Sequence, residues 1–408
     1  MSEPSKLFSF EFVSLNFVLF FAFCNLSIFY SFFTYLGDIG IPLEWRGFLV
    51  GLEPMAAFVL RLAVVPLLHA GNAATVMLAS LVMIIVALCS YSVALTVPSL
   101  VLLRIFHGAA FVLLVSGSMA MMVHFVPKDK SGQGFGIVSV SVLVPYAVMP
   151  LVTERLLNHV QSEAHVYAIV SVLALPGVLL LVRIRPRLQK ALAGMSSSLV
   201  ARPSLAELRA NLGQPDILTV LGINLLIFLS YSTVFFFLKL FSEKNGLGDV
   251  GAFFSICTLT IIGVRLPGSA VFDKANKLGV LQVFTLLLAV CFGLFNWMGG
   301  QTAFYLMAGY YGVCLGVVMP LLNAAMFEIS SPRFRGINTN LMLSTMDAGF
   351  FLSPYLGGML LAAGYPASVL FHVCTGLVLT SSLLIFLLRT REGRGNGNSK
   401  SGARNPTD

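Results

Sequence analysis

The sequence predicts an all-α membrane protein, with twelve transmembrane helices in two pseudo-symmetric six-helix bundles. Three observations carry that prediction. Hydrophobic residues make up 57% of the 408 residues and charged residues only 10%, whereas a soluble chain carries about 25% charged residues to keep its surface wetted. Apolar runs recur at the length of about 20 residues that a helix needs to cross a hydrocarbon core about 30 Å thick. The chain also repeats itself at half its length.

The apolar runs fall at roughly 12–36, 47–68, 73–94, 98–126, 134–157 and 165–184, and then at 214–241, 248–271, 277–297, 302–328, 336–360 and 367–389. This divides the chain into a first six-helix half (1–184), a central loop (185–213), a second half (214–389) and a tail (390–408). Within the loop, Ser204 and Glu207 have capping-box spacing, so a short interfacial helix is expected there, ending near Gly213. The tail after Thr390 is rich in Gly, Asn and Arg, has no apolar face, and is expected to be disordered.

The net charge of +8 does not indicate nucleic-acid binding, because of where the charges lie. Eighteen of the 25 basic residues fall in loops and tails on one side of a twelve-span chain. Arg46, Arg155, Lys239 and Lys244 are assigned to the other side, and Arg61, Arg104 and Arg265 to the apolar runs. This bias places both termini in the cytoplasm. The first run lacks a small-residue cleavage site after it and is read as a retained helix. The six cysteines all sit in apolar runs without a C-x-x-C pair, so neither a disulfide nor a metal site is expected, and no cofactor. The 34 Phe and 16 Met are read first as packing. No G-x-x-x-x-G-K-[ST], H-E-x-x-H or G-x-S-x-G occurs, and polar residues are spread through both halves instead of gathered at one interface, so an enzyme is not expected.

A shift of 204 residues carries Gly47 onto Gly251, Arg61-Leu62 onto Arg265-Leu266, Gly108 onto Gly312 and Pro150 onto Pro354. The matches keep both order and helix position. A parallel repeat of six-helix halves is a transporter architecture, with its binding site where the halves meet near the bilayer midplane.

Several motifs carry a resemblance. Arg265-Leu-Pro-Gly268-Ser269-Ala-Val-Phe-Asp273-Lys274 is similar to a loop motif R-x-x-G-G-x-L-x-D-R, Arg104-Ile-Phe-His107-Gly108 to R-x-x-Q/H-G, and Pro354-Tyr-Leu-Gly357-Gly358 to G-P-x-x-G-G. On these residues the chain, over about residues 8 to 390, resembles the major facilitator superfamily, and within it the sugar-efflux and multidrug-efflux-like exporters of bacteria. The resemblance implies alternating access between two rocking halves, a conformational role for Arg61, Arg265, Gly268, Asp273, Lys274, Pro354, Gly357 and Gly358, and a bacterial inner-membrane location. The first half departs from the pattern. His69 stands where Asp273 stands, and Thr153-Glu154 replaces the paired glycines that accompany antiport in this family.

Ionisable groups inside a span are costly and mark function by default. Arg104 lies about 9 Å below the outer end of the fourth helix, and Glu53, followed by Pro54, lies at a similar depth in the second. The two are expected to pair, with Arg104 either coupling to protons or substrate or pinning a neighbouring helix. Asp347 is the acid nearest the bilayer centre, on a stripe with Asn340, Ser344 and Phe351. It is expected to carry protons, balance a cationic substrate or bond helices together, with Arg104 as its nearby cation. His107 either titrates near neutral pH or bonds to its helical neighbours. Asn25, Asn224, Tyr231 and Asn323 occupy helices that line the cavity in the superfamily and are either substrate-facing or inter-helix contacts. The expected function is proton-coupled efflux of a small organic molecule by a monomer. Proton-coupled uptake or uncoupled facilitation comes next, and a membrane sensor that transports nothing is the reading of another class.

Overall fold

The computed structural model describes residues 8–64, 70–125, 131–193, 205–272, 276–331 and 334–402, and no strand occurs among them. The first rod is α1 (Phe10–Ser27), a 3-10 turn Ile28–Ser31 and α2 (Phe32–Asp38). Then follow α3 (Leu43–Val64), α4 (Ala70–Ser90), α5 (Val97–Phe125) and α6 (Ser131–Leu157). The half closes with α7 (Glu163–Ser171), which runs into α8 (Ala174–Ala193). After the short α9 (Leu205–Leu212) come α10 (Pro215–Asn245), α11 (Val250–Phe272), α12 (Lys277–Leu294), α13 (Gln301–Ile329), α14 (Arg335–Ala362) and α15 (Ser368–Gly402).

Helix ends follow local chemistry. The Ser9 hydroxyl accepts from the Phe12 amide at 3.1 Å and starts α1, and the Asn276 side chain does the same for Gly279 at 2.9 Å in α12. Pro215 opens α10, where a missing amide hydrogen costs nothing. Gly246, at φ +59°, ends α10 in a left-handed turn that a side chain would resist.

Nine of the described helical stretches are long and apolar enough to cross a membrane by length and composition. Three more long helices, α3, α11 and α14, carry Glu53, Arg61, Arg265 and Asp347 within their length and lie where the two halves meet. The expected all-helical, two-bundle membrane fold is therefore what the chain adopts. Two boundaries differ from expectation: α8 runs on to Ala193, and α15 passes Thr390 to Gly402. Arg187-Leu-Gln-Lys-Ala-Leu-Ala193 is made of strong helix formers, which carries α8 on past Pro186.

Two helix pairs join the halves, α3 with α14 and α6 with α11. We call the end of the bundle near residues 10, 64, 131 and 335 the terminus end, and the opposite end the far end. Toward the far end α3 approaches α14 so closely that a Cβ on Gly47 would collide with the Pro354 carbonyl and one on Gly51 would lie 2.6 Å from the Phe351 carbonyl oxygen. The second pair repeats the arrangement: a Cβ on Gly251 would lie 2.9 Å from Leu151 Cα, and the Ser255 hydroxyl donates to the Ala147 carbonyl. The 204-residue shift carries Gly51 onto Ser255 and relates Ala147 to Phe351, so the internal repeat is a symmetry of contacts as well as of sequence.

Candidate functional site

Toward the terminus end of the α3–α14 contact lies a buried ion pair. Arg61, in the last turn of α3, donates from Nε to Asp347 Oδ2 of α14 at 2.7 Å, and their side chains are only 8% and 9% exposed. The cation beside Asp347 is thus Arg61, whereas Arg104, expected nearby in the cavity, lies with Glu53. A carboxylate in low dielectric takes the cation whose helix packs directly against its own, and here that helix is α3. On the rest of the stripe, Ser344 is buried and donates to the Asn340 carbonyl at 3.1 Å, while the Asn340 side chain is exposed.

A second charged pair lies within the first half. Arg104 Nη2 stands 3.6 Å from Glu53 Oε2, so the structure brings together the two residues expected to meet. Arg104 also binds the backbone of α3, donating from Nε to Leu49 O at 3.0 Å and from Nη2 to Val50 O at 2.7 Å, and its Nη1 donates to the Tyr91 hydroxyl at 3.3 Å. Pro54 explains one of these bonds. Without an amide hydrogen it cannot satisfy Val50 O one turn back, and the guanidinium fills the vacancy. Phe29 and Phe32 cover the cation at 5.3 and 4.7 Å. Gly108 lets α5 come this close, since a Cβ there would collide with the Glu53 carbonyl.

The counterpart of Arg61 in the repeat, Arg265, lies at the α6–α11 boundary and donates from Nη1 to Ser139 Oγ at 3.2 Å. Above it a chain of rings spans both halves. Tyr146 of α6 meets Phe235 of α10 at 5.8 Å, Phe235 meets Phe350 of α14 at 6.1 Å, and Phe350 meets Tyr231 at 5.8 Å.

The remaining candidates are dispersed. His107 is buried against Phe29, with its Nδ1 3.3 Å from the Tyr91 hydroxyl. Asn25 donates to the Phe21 carbonyl one turn back in its own helix. Asn224 ties α10 to α14 through Met342 O at 2.9 Å and Thr345 Oγ1 at 2.8 Å. Asn323 is exposed and bonds to Met319 O in its own helix. Tyr231 is half-buried at the boundary. Gly357 packs on the Phe237 ring, and Gly358, beside Pro354, packs on Gly47. Gly268 lies in α11. His69, Asp273 and Lys274 lie outside the described residues.

One site was not expected. Lys239, counted from the sequence among the basic residues on the side opposite the termini, is 8% exposed and sits between the halves at the far end. Its Nζ lies 3.2 Å from Glu154 Oε1 and 3.9 Å from Glu163 Oε1, and the Tyr30 hydroxyl donates to Glu154 at 2.5 Å. Glu154, seen in the sequence only as a departure from a glycine motif, is the acceptor that receives both. Tyr30–Phe254 and Phe33–Phe237 ring contacts at 5.8 and 4.8 Å complete the closure. The signal that was available is a lysine inside an α10 run that stays apolar on both sides.

The arrangement can hold or release the two halves at two levels through charge, and among the described residues no cluster of three or more His, Cys, Asp or Glu is placed to hold a metal ion. The sequence matches the family model described as Major Facilitator Superfamily over residues 15–339. The fold is similar to that of the nucleoside transporter NupG, with a TM-score of 0.74 at 12% identity, covering 93% of this chain and 99% of that one. It is also similar to a POT family transporter solved with 5-aminolevulinic acid (TM-score 0.72, 14% identity, 93% and 96% covered). The human organic anion transporter MFSD10 aligns at TM-score 0.63 and 18% identity, covering 92% of this chain and 99% of its own. At these identities the likeness shows the fold alone. No curated protein matches the sequence.

Proposed function

The chain belongs to the major facilitator superfamily, and from that premise we propose that it exports a small organic molecule across a bacterial inner membrane by alternating access, driven by protons. Transport as such follows from the family. Coupling to protons rests on one observation, the Asp347–Arg61 pair buried between the halves. A carboxylate that must lose its proton to bind Arg61, and lose Arg61 to regain a proton, links protonation to the separation of α3 from α14. The charge pair and the packing around it bind the same two helices, so a proton arriving at Asp347 weakens the joint that alternation must open.

The far-end contacts of Lys239 with Glu154 and Glu163 support a form closed at that end, with access from the terminus end. With both termini cytoplasmic, as the basic-residue bias indicates, this form faces inward. Reporter fusions after residues 200 and 395 test the orientation, and both should read cytoplasmic.

The central test is transport in inverted vesicles with an imposed pH gradient, screened over organic cations, anions and neutral compounds. Gradient-dependent accumulation that Asp347→Asn abolishes supports the reading. Accumulation in the opposite sense makes the chain a symporter, and equilibration without accumulation makes it a facilitator.

A further inference from the structure

The internal symmetry exposes an imbalance. Arg61 and Arg265 occupy equivalent places in the two halves, and each reaches from its helix to the partner helix of the opposite half. Arg61 meets a carboxylate there. The same 204-residue shift puts Leu143 at the place of Asp347, and α6 carries no acid between Ser131 and Glu154. Among the described residues Arg265 meets the Ser139 hydroxyl, at 3.2 Å, which supplies an oxygen but no countercharge. Its Nε is buried without any partner. An arginine cannot shed its proton to escape this situation, and it carries five donors in a fixed fork suited to two oxygens at once. Among the described residues no acid completes it, which leaves a place for an anion from outside the chain.

The surroundings are built to receive one. Ser139 and Tyr146 share a face of α6 at i, i+7 spacing, and Tyr231 joins the same ring chain through Phe350 and Phe235. Arg265, Ser139, Tyr146 and Tyr231 are all part-exposed although they stand where the halves meet. Neither the Tyr146 nor the Tyr231 hydroxyl is bonded to a described protein group, while their rings belong to the aromatic chain through Phe235 and Phe350. A charged fork below and aromatic faces above match a molecule with an acidic head and a flat apolar body.

We propose that Arg265 and Ser139, with Tyr146 and Tyr231, form the subsite for the acidic group of the transported molecule, which is an aromatic or otherwise planar organic anion. This rests on the reading of the chain as a transporter whose site lies between its halves. It adds to that reading the sign of the substrate's charge and the residue that selects it.

The test uses the purified full chain and three probes of one shape, namely benzoate, the neutral benzamide and the cationic benzylamine. Thermal unfolding should shift upward with benzoate in a saturable way and not with the other two. Arg265→Gln should remove the benzoate shift, and Ser139→Ala should weaken benzoate about tenfold, the order expected for one charge-assisted hydrogen bond. Should Arg265→Gln fail to fold, Arg265→Lys keeps the charge but not the fork and should retain a weaker benzoate shift. A benzoate shift that is absent from the wild type, shared equally by benzamide, or unchanged in the Arg265 variant overturns the proposal. Doping the micelles with phosphatidylglycerol separates a lipid phosphate from a free anion, since protection by the lipid but not by benzoate also overturns it. The two readings fail apart. Gradient-driven transport of a cation or neutral compound that survives Arg265→Gln removes the anion subsite and leaves export standing. Arg265-dependent benzoate binding with no gradient-driven movement removes proton-coupled export and leaves the subsite.

Discussion

Arg61 and Asp347 lie 286 positions apart in the sequence and 2.7 Å apart across the boundary between the halves. The pair is buried and joins the helices that must separate if the molecule alternates. Asp347→Asn keeps the size and a hydrogen-bonding oxygen but removes the titrating group. Gradient-driven transport should fall by about 100-fold, the effect of losing a proton-transfer group, while counterflow exchange of substrate persists because it needs no net proton movement. Normal accumulation by the Asn variant would show that Asp347 is not the coupling group.

Stability should follow the same pair in a non-additive way. Removing one partner of a buried pair leaves an uncompensated charge and costs about 3–5 kcal/mol, whereas neutralising both often costs little. Arg61→Gln and Asp347→Asn should each lower the unfolding midpoint of the purified protein, and the double variant should recover most of the loss. Strictly additive losses in this cycle would mean that the two side chains do not interact in solution.

Much of this arrangement was legible in the sequence, and the limits have physical causes. The helices and their repeat were readable because apolar length and glycine placement are local properties. Glu53 and Arg104 could be matched because neighbouring helices of one half hold equal depths side by side. Arg61 could not be assigned to Asp347, since nothing local tells a residue of α3 that α14 of the other half covers it. Lys239 was missed for a related reason. A lysine near the end of an apolar run looks solvated until Glu154 and Glu163 are seen to converge on it from α6 and α7. The imbalance at Arg265 was present in the repeat but had no meaning until Arg61 was known to have a partner.

The far-end cluster should behave as a latch. Phe33 and Phe237 approach at 4.8 Å from opposite halves beside Lys239, so cysteines replacing them, in a chain with its six native cysteines removed, should cross-link efficiently with a short reagent. The cross-linked protein should not transport. Adding Lys239→Met should remove the cation by which α10 holds the two carboxylates of the first half, favour separation and reduce cross-linking several-fold. Undiminished cross-linking would place the closing force in the rings and glycines instead of the charges.

Close helix contact at that end makes a further demand. A Cβ on Gly251 has no room against Leu151, whereas one on Gly222 or Gly293 meets nothing within 4 Å. Gly251→Ala should destabilise the purified protein by about 1–3 kcal/mol through overpacking, while Gly222→Ala should gain up to about 1 kcal/mol from helix propensity. Equal behaviour of the two alanines would mean that α6 and α11 are not in contact.

The last prediction separates two roles that the sequence left joined. Among the described residues the three hydrogen bonds of Arg104 all go to groups of its own half, two of them to backbone carbonyls of α3. Its geometry is that of a pin holding α3 where Pro54 interrupts the helix, and Glu53, at 3.6 Å, supplies the countercharge. A lysine ammonium is a single point and cannot reach Leu49 O, Val50 O and the Tyr91 hydroxyl together. Arg104→Lys should therefore destabilise the protein by about 2–4 kcal/mol, the sum expected for one or two lost bonds to a charged donor, although the charge is kept. Glu53→Gln leaves the backbone bonds of Arg104 intact and should permit folding. If Glu53→Gln still accumulates substrate against its gradient while Asp347→Asn does not, proton coupling belongs to the boundary between the halves and Glu53 only balances the pin. Loss of coupling in Glu53→Gln with Asp347→Asn unaffected would reverse that assignment and move the proton site into the first half.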